Sequence, residues 1–176
     1  MKWHLVDASV LAELVSHGPS KGAKVQDAYD FIRNVFLATV ERREMLGVTD
    51  TALGEYEAVK NKYVPRGWEP THPGRDPALQ DDPYTAALCF FNFYALRSAV
   101  NIQKKYRQDY RRLLGTCRKI NLPGLDPNDK TYFAAAATVA SCFQNERVCL
   151  TSTDPNFHSA QARNFARRHR FALCEP

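Results

Sequence analysis

The stretch Trp3-His4-Leu5-Val6-Asp7-Ala8-Ser9-Val10-Leu11 decides how the fold is read. A short apolar run that ends in a carboxylate has the form of a buried parallel strand. It delivers one acid to the strand's C-terminal tip, the edge at which open α/β sheets bind ligands. Ser9 is placed to cap the next helix, and Val10, Leu11, Leu14 and Val15 give that helix an apolar face. The simplest alternative makes Asp7 a helix cap and nothing more. What separates the two readings is where the other carboxylates fall.

Downstream, His17-Gly18-Pro19-Ser20-Lys21-Gly22 punctuates the chain, and a helix is expected from about Ala23 to Val40. Met45-Leu46-Gly47-Val48 reads as a second short buried strand. Thr49-Asp50-Thr51 is a helix start, and the helix carries Leu53, Glu55, Tyr56 and Val59. Glu55 then lies about one and a half turns beyond a strand end. Residues 63–83 hold five prolines and read as a long loop insertion, of the kind that is a lid, a partner contact or disordered. A long helix is expected over Tyr84–Cys117, with Lys104, Lys105, Arg107, Arg111 and Arg112 largely on the other side, a solvated face in preference to an RNA-contacting stripe.

The turn-rich segment Ile120–Lys130 leads into a helix with Tyr132, Phe133 and the alanine run 134–137. Arg147–Thr151 is another buried strand, with Ser152-Thr153-Asp154 directly after it. A basic helix (Gln161–His169) and a closing strand ending at Cys174 finish the chain. Alternating strands and helices imply one domain over residues 1–176, three-layer α/β/α with a mainly parallel central sheet.

Bulk properties agree. At 176 residues the chain suits one domain, and 44% hydrophobic with 24% charged residues excludes extended disorder. No apolar run reaches the ~20 residues that span a bilayer, and the N-terminal run, broken by Asp7, does not read as a signal peptide. Five cysteines without a Cys-x-x-Cys pair point to buried free thiols in a reducing cytoplasm. Cys149, inside an apolar strand, reads as core packing rather than as a nucleophile. A net charge of +5 is compatible with a polyanionic partner.

The acids share a grammar. Asp7 and Asp154 come after short apolar strands, Glu55 lies in the helix after a third, and Asp129 opens a helix. In a parallel sheet with right-handed crossovers these ends share one edge. Two carboxylates 4 Å apart repel by roughly 4 kcal/mol at an effective dielectric near 20, so a cluster needs a counter-charge. Oxygen donors without His or Cys suit Mg²⁺ or Mn²⁺, and such a site hydrolyses phosphodiesters. Ser9, Ser152 and Thr153 are candidates to orient a water or a carboxylate. Asp126, close to Asp129, competes with it for the third acidic position; Asp129 is preferred because it directly precedes the helix. Arg163, Arg167, Arg168 and Arg170 on the last helix are candidates for RNA-backbone contacts, with a solvated surface as the alternative.

Val6-Asp7-Ala8-Ser9-Val10-Leu11, Thr51-Ala52-Leu53-Gly54-Glu55-Tyr56, Asp126-Pro127-Asn128-Asp129 and Leu150-Thr151-Ser152-Thr153-Asp154-Pro155-Asn156-Phe157, in that order, resemble a PIN domain. That is the fold of VapC-type toxin ribonucleases and related nucleases. The resemblance covers nearly the whole chain apart from the proline-rich loop. It implies a Mg²⁺- or Mn²⁺-dependent endoribonuclease with Asp7, Glu55, Asp129 and Asp154 as catalytic and metal-holding acids. It also implies RNA as substrate, a homodimer, and a small antitoxin partner for toxin members. The rival class is a non-catalytic PIN-fold scaffold or RNA-binding protein, which would have no need of unpaired acids at one edge.

Other motifs fail. Leu11 stands where an Asp-x-Ser-x-Ser metal site needs serine, Ser9 where a haloacid-dehalogenase motif needs aspartate, and there is no Gly-x-x-x-x-Gly-Lys loop. The histidines lack ligand spacing, and His158 reads as a loop residue.

Overall fold

The computed structural model of the protein describes residues 1–10, 30, 34, 35, 38, 44–63 and 99–176. Strand β1 (Lys2–Val6) is central and buried from Trp3 onward. It pairs in parallel with β2 (Glu44–Val48) on one side and with β4 (Arg147–Thr151) on the other. Beyond them lie β3 (Val100–Asn101) and β5 (Ala172–Cys174), giving the order β3-β2-β1-β4-β5, parallel throughout. Near-continuous apolar strands are what a sheet covered on both faces requires, and the fold is the expected three-layer α/β/α.

The chain steps outward from β1 through β2 to β3, then crosses back to β4 and outward again to β5. The sheet is thus built toward one edge from β1 and toward the other from β4. The direction of winding therefore reverses between β1 and β4. At such a reversal the loops leaving the two strand ends diverge and leave a crevice.

Helix α1 (Asp50–Tyr63) starts where its sequence says it should, with Thr49 Oγ1 accepting from the Ala52 amide at 3.0 Å. The single long helix expected over 84–117 is corrected. Among the described residues, Val100–Asn101 is an edge strand. Asn101 then caps a short helix α2 (Ile102–Lys105), and the chain bends at Tyr106 before α3 (Arg107–Lys119). A strand of two residues has no periodicity of its own, so the helical spacing runs unbroken through it. The helix expected over 23–40 and the loop over 63–83 lie outside the described residues, except that 30, 34, 35 and 38 are helical and Tyr63 ends α1.

Helix α4 (Asp129–Cys142) is buried on every side from Thr131 to Ala140. It lies between the sheet and the helices around it, and alanines 134–137, each 0–1% exposed, let the backbones come close. Phe133 anchors an aromatic cluster with Phe157 (centroids 5.2 Å apart), Phe165 (6.0 Å) and Phe171 (6.0 Å). Those rings come from the 3₁₀ turn Pro155–His158, from α5 (Ala160–Arg168) and from the chain entering β5. No described helix is long and apolar enough to cross a membrane.

Ala136 has no room for a larger side chain. Ala136→Leu should destabilise the fold by about 1–3 kcal/mol, read as a lower denaturant midpoint with an unchanged slope.

Candidate active site

Asp7 leaves β1 at the reversal point and is 5% exposed. Its amide donates to the Thr151 carbonyl at 2.9 Å, extending the β1–β4 ladder by one bond. Its Oδ2 accepts from Ser9 Oγ at 2.6 Å and from Ser152 Oγ at 2.7 Å, one hydroxyl from each side of the crevice. The Ala8 and Ser9 amides also face the carboxylate. Burial is the largest influence and raises the Asp7 pKa above the usual carboxylate value; the hydrogen bonds only partly offset it. Ser9 is thus not the cap expected of it. The helix has begun at Ala8, the Val10 amide bonds to the Asp7 carbonyl, and the Ser9 hydroxyl is spent on the acid.

The β4 side is built as a relay of short bonds. Ser152 Oγ accepts from the Asp154 amide at 3.0 Å, and the Thr153 amide donates to Ser9 Oγ at 3.3 Å. Thr153 therefore contributes backbone, while Ser9 and Ser152 contribute side chains. Asp154 Oδ1 accepts from the Asn156 amide at 2.8 Å and caps the 3₁₀ turn. His158 Nε2 donates to the Ser152 carbonyl at 3.3 Å.

Asp126 and Asp129 form a reciprocal cap at the start of α4. Asp126 Oδ1 accepts from the Asn128 amide at 2.6 Å and the Asp129 amide at 2.8 Å, while Asp129 Oδ2 accepts from the Asp126 amide at 2.7 Å. This is the bonding of a capping box, with aspartate in both roles. The two acids differ in surroundings. Asp126 is exposed, whereas Asp129 is half-buried and its pKa is pushed up to about 6, first by desolvation and then by the charges of Asp126, Asp7 and Asp154. Asp129 thus feels the charges of Asp7 and Asp154 as well as that of Asp126.

Glu55 arrives from α1. Its Oε2 accepts from the Tyr132 hydroxyl at 2.5 Å and its Oε1 from Asn128 Nδ2 at 3.2 Å. The Tyr132 oxygen also meets the Ala8 amide and feels the Asp7 charge, so Tyr132 ties Glu55 to Asp7. Burial first, then the Glu55 bond, drives the phenol far above its ordinary pKa. Tyr132 and Asn128 belong to the site although their sequence context suggests only packing and a turn. The available signal was spacing: Tyr132 stands three residues after Asp129, one turn along the same helix face.

One glycine holds the loops in register. Gly124 adopts φ 81°, and a Cβ there would stand 2.5 Å from Asn156 Oδ1. The loop carrying Asp126 can approach the loop carrying Asp154 because that position has no side chain.

Among the described residues, no three His, Cys, Asp or Glu side chains converge closely enough to hold an ion by themselves, and no Lys or Arg pairs with Asp7, Glu55, Asp129 or Asp154. Of the four arginines expected on the last helix, Arg163, Arg167 and Arg168 lie on it and Arg170 lies in the turn beyond; all are exposed but divided. Arg163 and Arg167 line an open groove of about 520 Å³ with His158, Leu173 and Glu175, whereas Arg168 and Arg170 face a second groove of about 320 Å³ with Arg112. No known family, curated protein or solved structure matches this chain. Chemically, the crevice offers oxygen ligands and negative charge that, among the described residues, is met by hydroxyl, amide and backbone donors rather than by a cation.

Asp129 gives this electrostatic picture a direct check. Its folded pKa lies above the ordinary 3.8, so the folded state binds the proton more tightly than the unfolded chain. Stability should fall as pH rises from about 4 to about 6 and stay lowered above that. Asp129→Asn keeps an oxygen for the Asp126 amide and removes the charge. In chelator, its melting temperature should exceed the parent's near pH 7.5, and the gap should close near pH 4. A parent that is the more stable of the two at neutral pH would show that capping outweighs repulsion.

Proposed function

We propose that the protein is a divalent-metal-dependent endoribonuclease in which Asp7, Glu55, Asp129 and Asp154 hold Mg²⁺ or Mn²⁺ at the crevice between β1 and β4. The observation that carries this reading is the buried Asp7 carboxylate, held by two hydroxyls and with no described cation to offset it. The donors suit a hard ion, being carboxylate and hydroxyl oxygens. Mg²⁺ commonly takes one or two carboxylates directly and completes its shell with water and substrate phosphate, so the remaining acids would act on it through bound water. When bound, the ion supplies counter-charge, acidifies a water and draws charge from the phosphodiester.

The chain's own residues set the geometry. Ser9 and Ser152 fix the Asp7 carboxylate from opposite sides. Tyr132, protonated across the physiological range, acts as a constant donor to Glu55. Asp129 is ionised above a pH of about 6 and takes up a proton below it. His158, bonded to the Ser152 carbonyl, joins the acid edge to the groove of Arg163 and Arg167, where phosphates of a bound strand would meet positive charge. RNA as the substrate agrees with the PIN-domain resemblance; an antitoxin partner and a homodimer rest on that resemblance alone.

The test is a cleavage assay on single-stranded RNA, and on DNA of the same sequence, with Mn²⁺ and with chelator. Native protein should cut the RNA only with the ion present. Asp7→Asn should keep its circular dichroism and lose both cleavage and calorimetric Mn²⁺ binding. Ser152→Ala should weaken Mn²⁺ binding by about 10–100-fold. Wild-type-like cleavage by Asp7→Asn would refute the assignment.

The pH dependence of ion binding is a separate expectation. Protonated Asp129 must give up its proton to take part, so Mn²⁺ affinity should weaken as pH falls through about 6. Calorimetric titrations on either side of that value measure it, and Asp129→Asn should flatten the profile.

A further inference from the structure

The far side of the sheet carries a feature that the proposed nuclease chemistry does not use. β5 is an edge strand of three residues whose partner is β4. The register sets Ala172 beside Cys149 and Cys174 beside Thr151, so Cys149 and Cys174 lie on one face, offset diagonally by two positions. Each thiol is the largest influence on the other's titration, both are half-buried, and neither is in a disulfide. The expectation of uniformly buried thiols is therefore corrected: among the described cysteines Cys117 is buried, Cys142 is exposed, and Cys149 faces a second thiol. Cys89 lies outside the described residues.

The two partners are unequal. Cys149 is lowered most by Cys174, with Lys2 and Arg147 adding favourable charge against the burial cost and Glu44 opposing, and its pKa comes down to about 7. Cys174 is pushed up by Cys149 and by burial. Burial takes the Cys117 thiol up to about 12, and Cys142 is also raised. Thiolate character and access decide which cysteine meets an oxidant first, and a neighbouring thiol decides the fate of the oxidised sulfur.

We propose that Cys149 and Cys174 form a peroxide-oxidised dithiol that closes to a disulfide between β4 and β5. The Cys149 thiolate attacks one oxygen of a peroxide. The O–O bond breaks, the Cys149 sulfur is oxidised to a sulfenic acid, and the departing hydroxide takes a proton to become water. Cys174 sulfur then attacks the Cys149 sulfur, the S–O bond breaks, and its hydroxide leaves as water with the Cys174 proton. Two thiols and one peroxide become one disulfide and two waters.

The diagonal offset has a mechanical consequence. A disulfide needs Cα atoms within about 7 Å, so closing a diagonal pair would draw β5 along β4. The Cys174 carbonyl accepts from the Ser152 amide at 3.2 Å, so movement of β5 is felt by the residue that holds Asp7.

The experiment treats the full chain with a slight excess of hydrogen peroxide, alkylates the remaining thiols, and maps the digest by mass spectrometry. The expected product is an intramolecular link between Cys149 and Cys174, lighter by two hydrogens and reversed by dithiothreitol, with Cys142 left alkylatable. Cys174→Ser should leave a sulfenic acid at Cys149 that a cyclic dione traps. Cys149→Ser should leave Cys174 free. The proposal is overturned if Cys149 and Cys174 both stay alkylatable in the native chain. A Cys149 joined to any other cysteine, or one that passes to sulfinic acid beside a free Cys174, overturns it equally. The measurement on native chain needs no substitution and no activity, so its outcome is independent of the nuclease reading.

Discussion

The parallel pairing of β1 with β4 is the constraint on which the rest depends. Its register runs from Lys2 opposite Arg147 to Val6 opposite Thr151, and the Asp7 amide adds one further bond beyond the strands. Because the winding reverses at this pair, two loops that must separate begin within a hydrogen bond of each other. The small hydroxyls of Ser9 and Ser152 occupy the space where they part. A slip of one residue in this ladder would turn every side chain of β4 to the opposite face and take Ser152 away from Asp7.

The helices that complete the site are placed by packing rather than by polar contacts. α4 is apolar on all sides because it lies against the sheet and beneath α3 and α5, and its alanines set how close it lies. That depth brings its first residue, Asp129, up to the strand ends and puts Tyr132 within reach of both the Ala8 amide and Glu55. Core packing and site geometry therefore share one determinant. A bulkier residue in the alanine run would lift the helix and with it two polar groups of the crevice.

Much of this was legible in the sequence, and what was not has physical reasons. β1, β2, β4 and β5 announce themselves as short apolar runs, and Thr49 marks the start of α1, because buried strands and caps are local patterns. β3 is invisible because two residues carry no period, and the bend at Tyr106 falls inside a helical spacing that continues past it. The acids could be named individually, since each comes after a strand or opens a helix. Their bonding could not. The reciprocal cap between Asp126 and Asp129, the use of Ser9 as a donor and the bridge through Tyr132 all depend on tertiary placement. Proximity in sequence also misled: Arg163, Arg167, Arg168 and Arg170 form one cluster in the chain and two grooves on the surface, because the α5 helix and the turn at Arg170 send them in different directions. Cys149 and Cys174 made the opposite case, far apart in the chain and joined by strand pairing.

Capping explains part of the acid arrangement but not its cost. Asp7 faces the first amides of a helix, Asp126 and Asp129 cap α4, and Asp154 caps a 3₁₀ turn. Serine or asparagine caps a helix about as well as aspartate and brings no net charge. A cap has no reason to be a carboxylate at 5% exposure whose own burial raises its pKa, nor to sit where a second acid is driven to about 6 by burial and then by its neighbours. Glu55 is not a cap at all. It lies within α1 and takes its hydrogen bonds from Asn128 and Tyr132 of another segment. Folding stability would be served by removing these charges, and the chain instead surrounds them with donors that hold each one in a fixed orientation. Under the proposed nuclease reading, that negative charge is what the crevice would present to a cation.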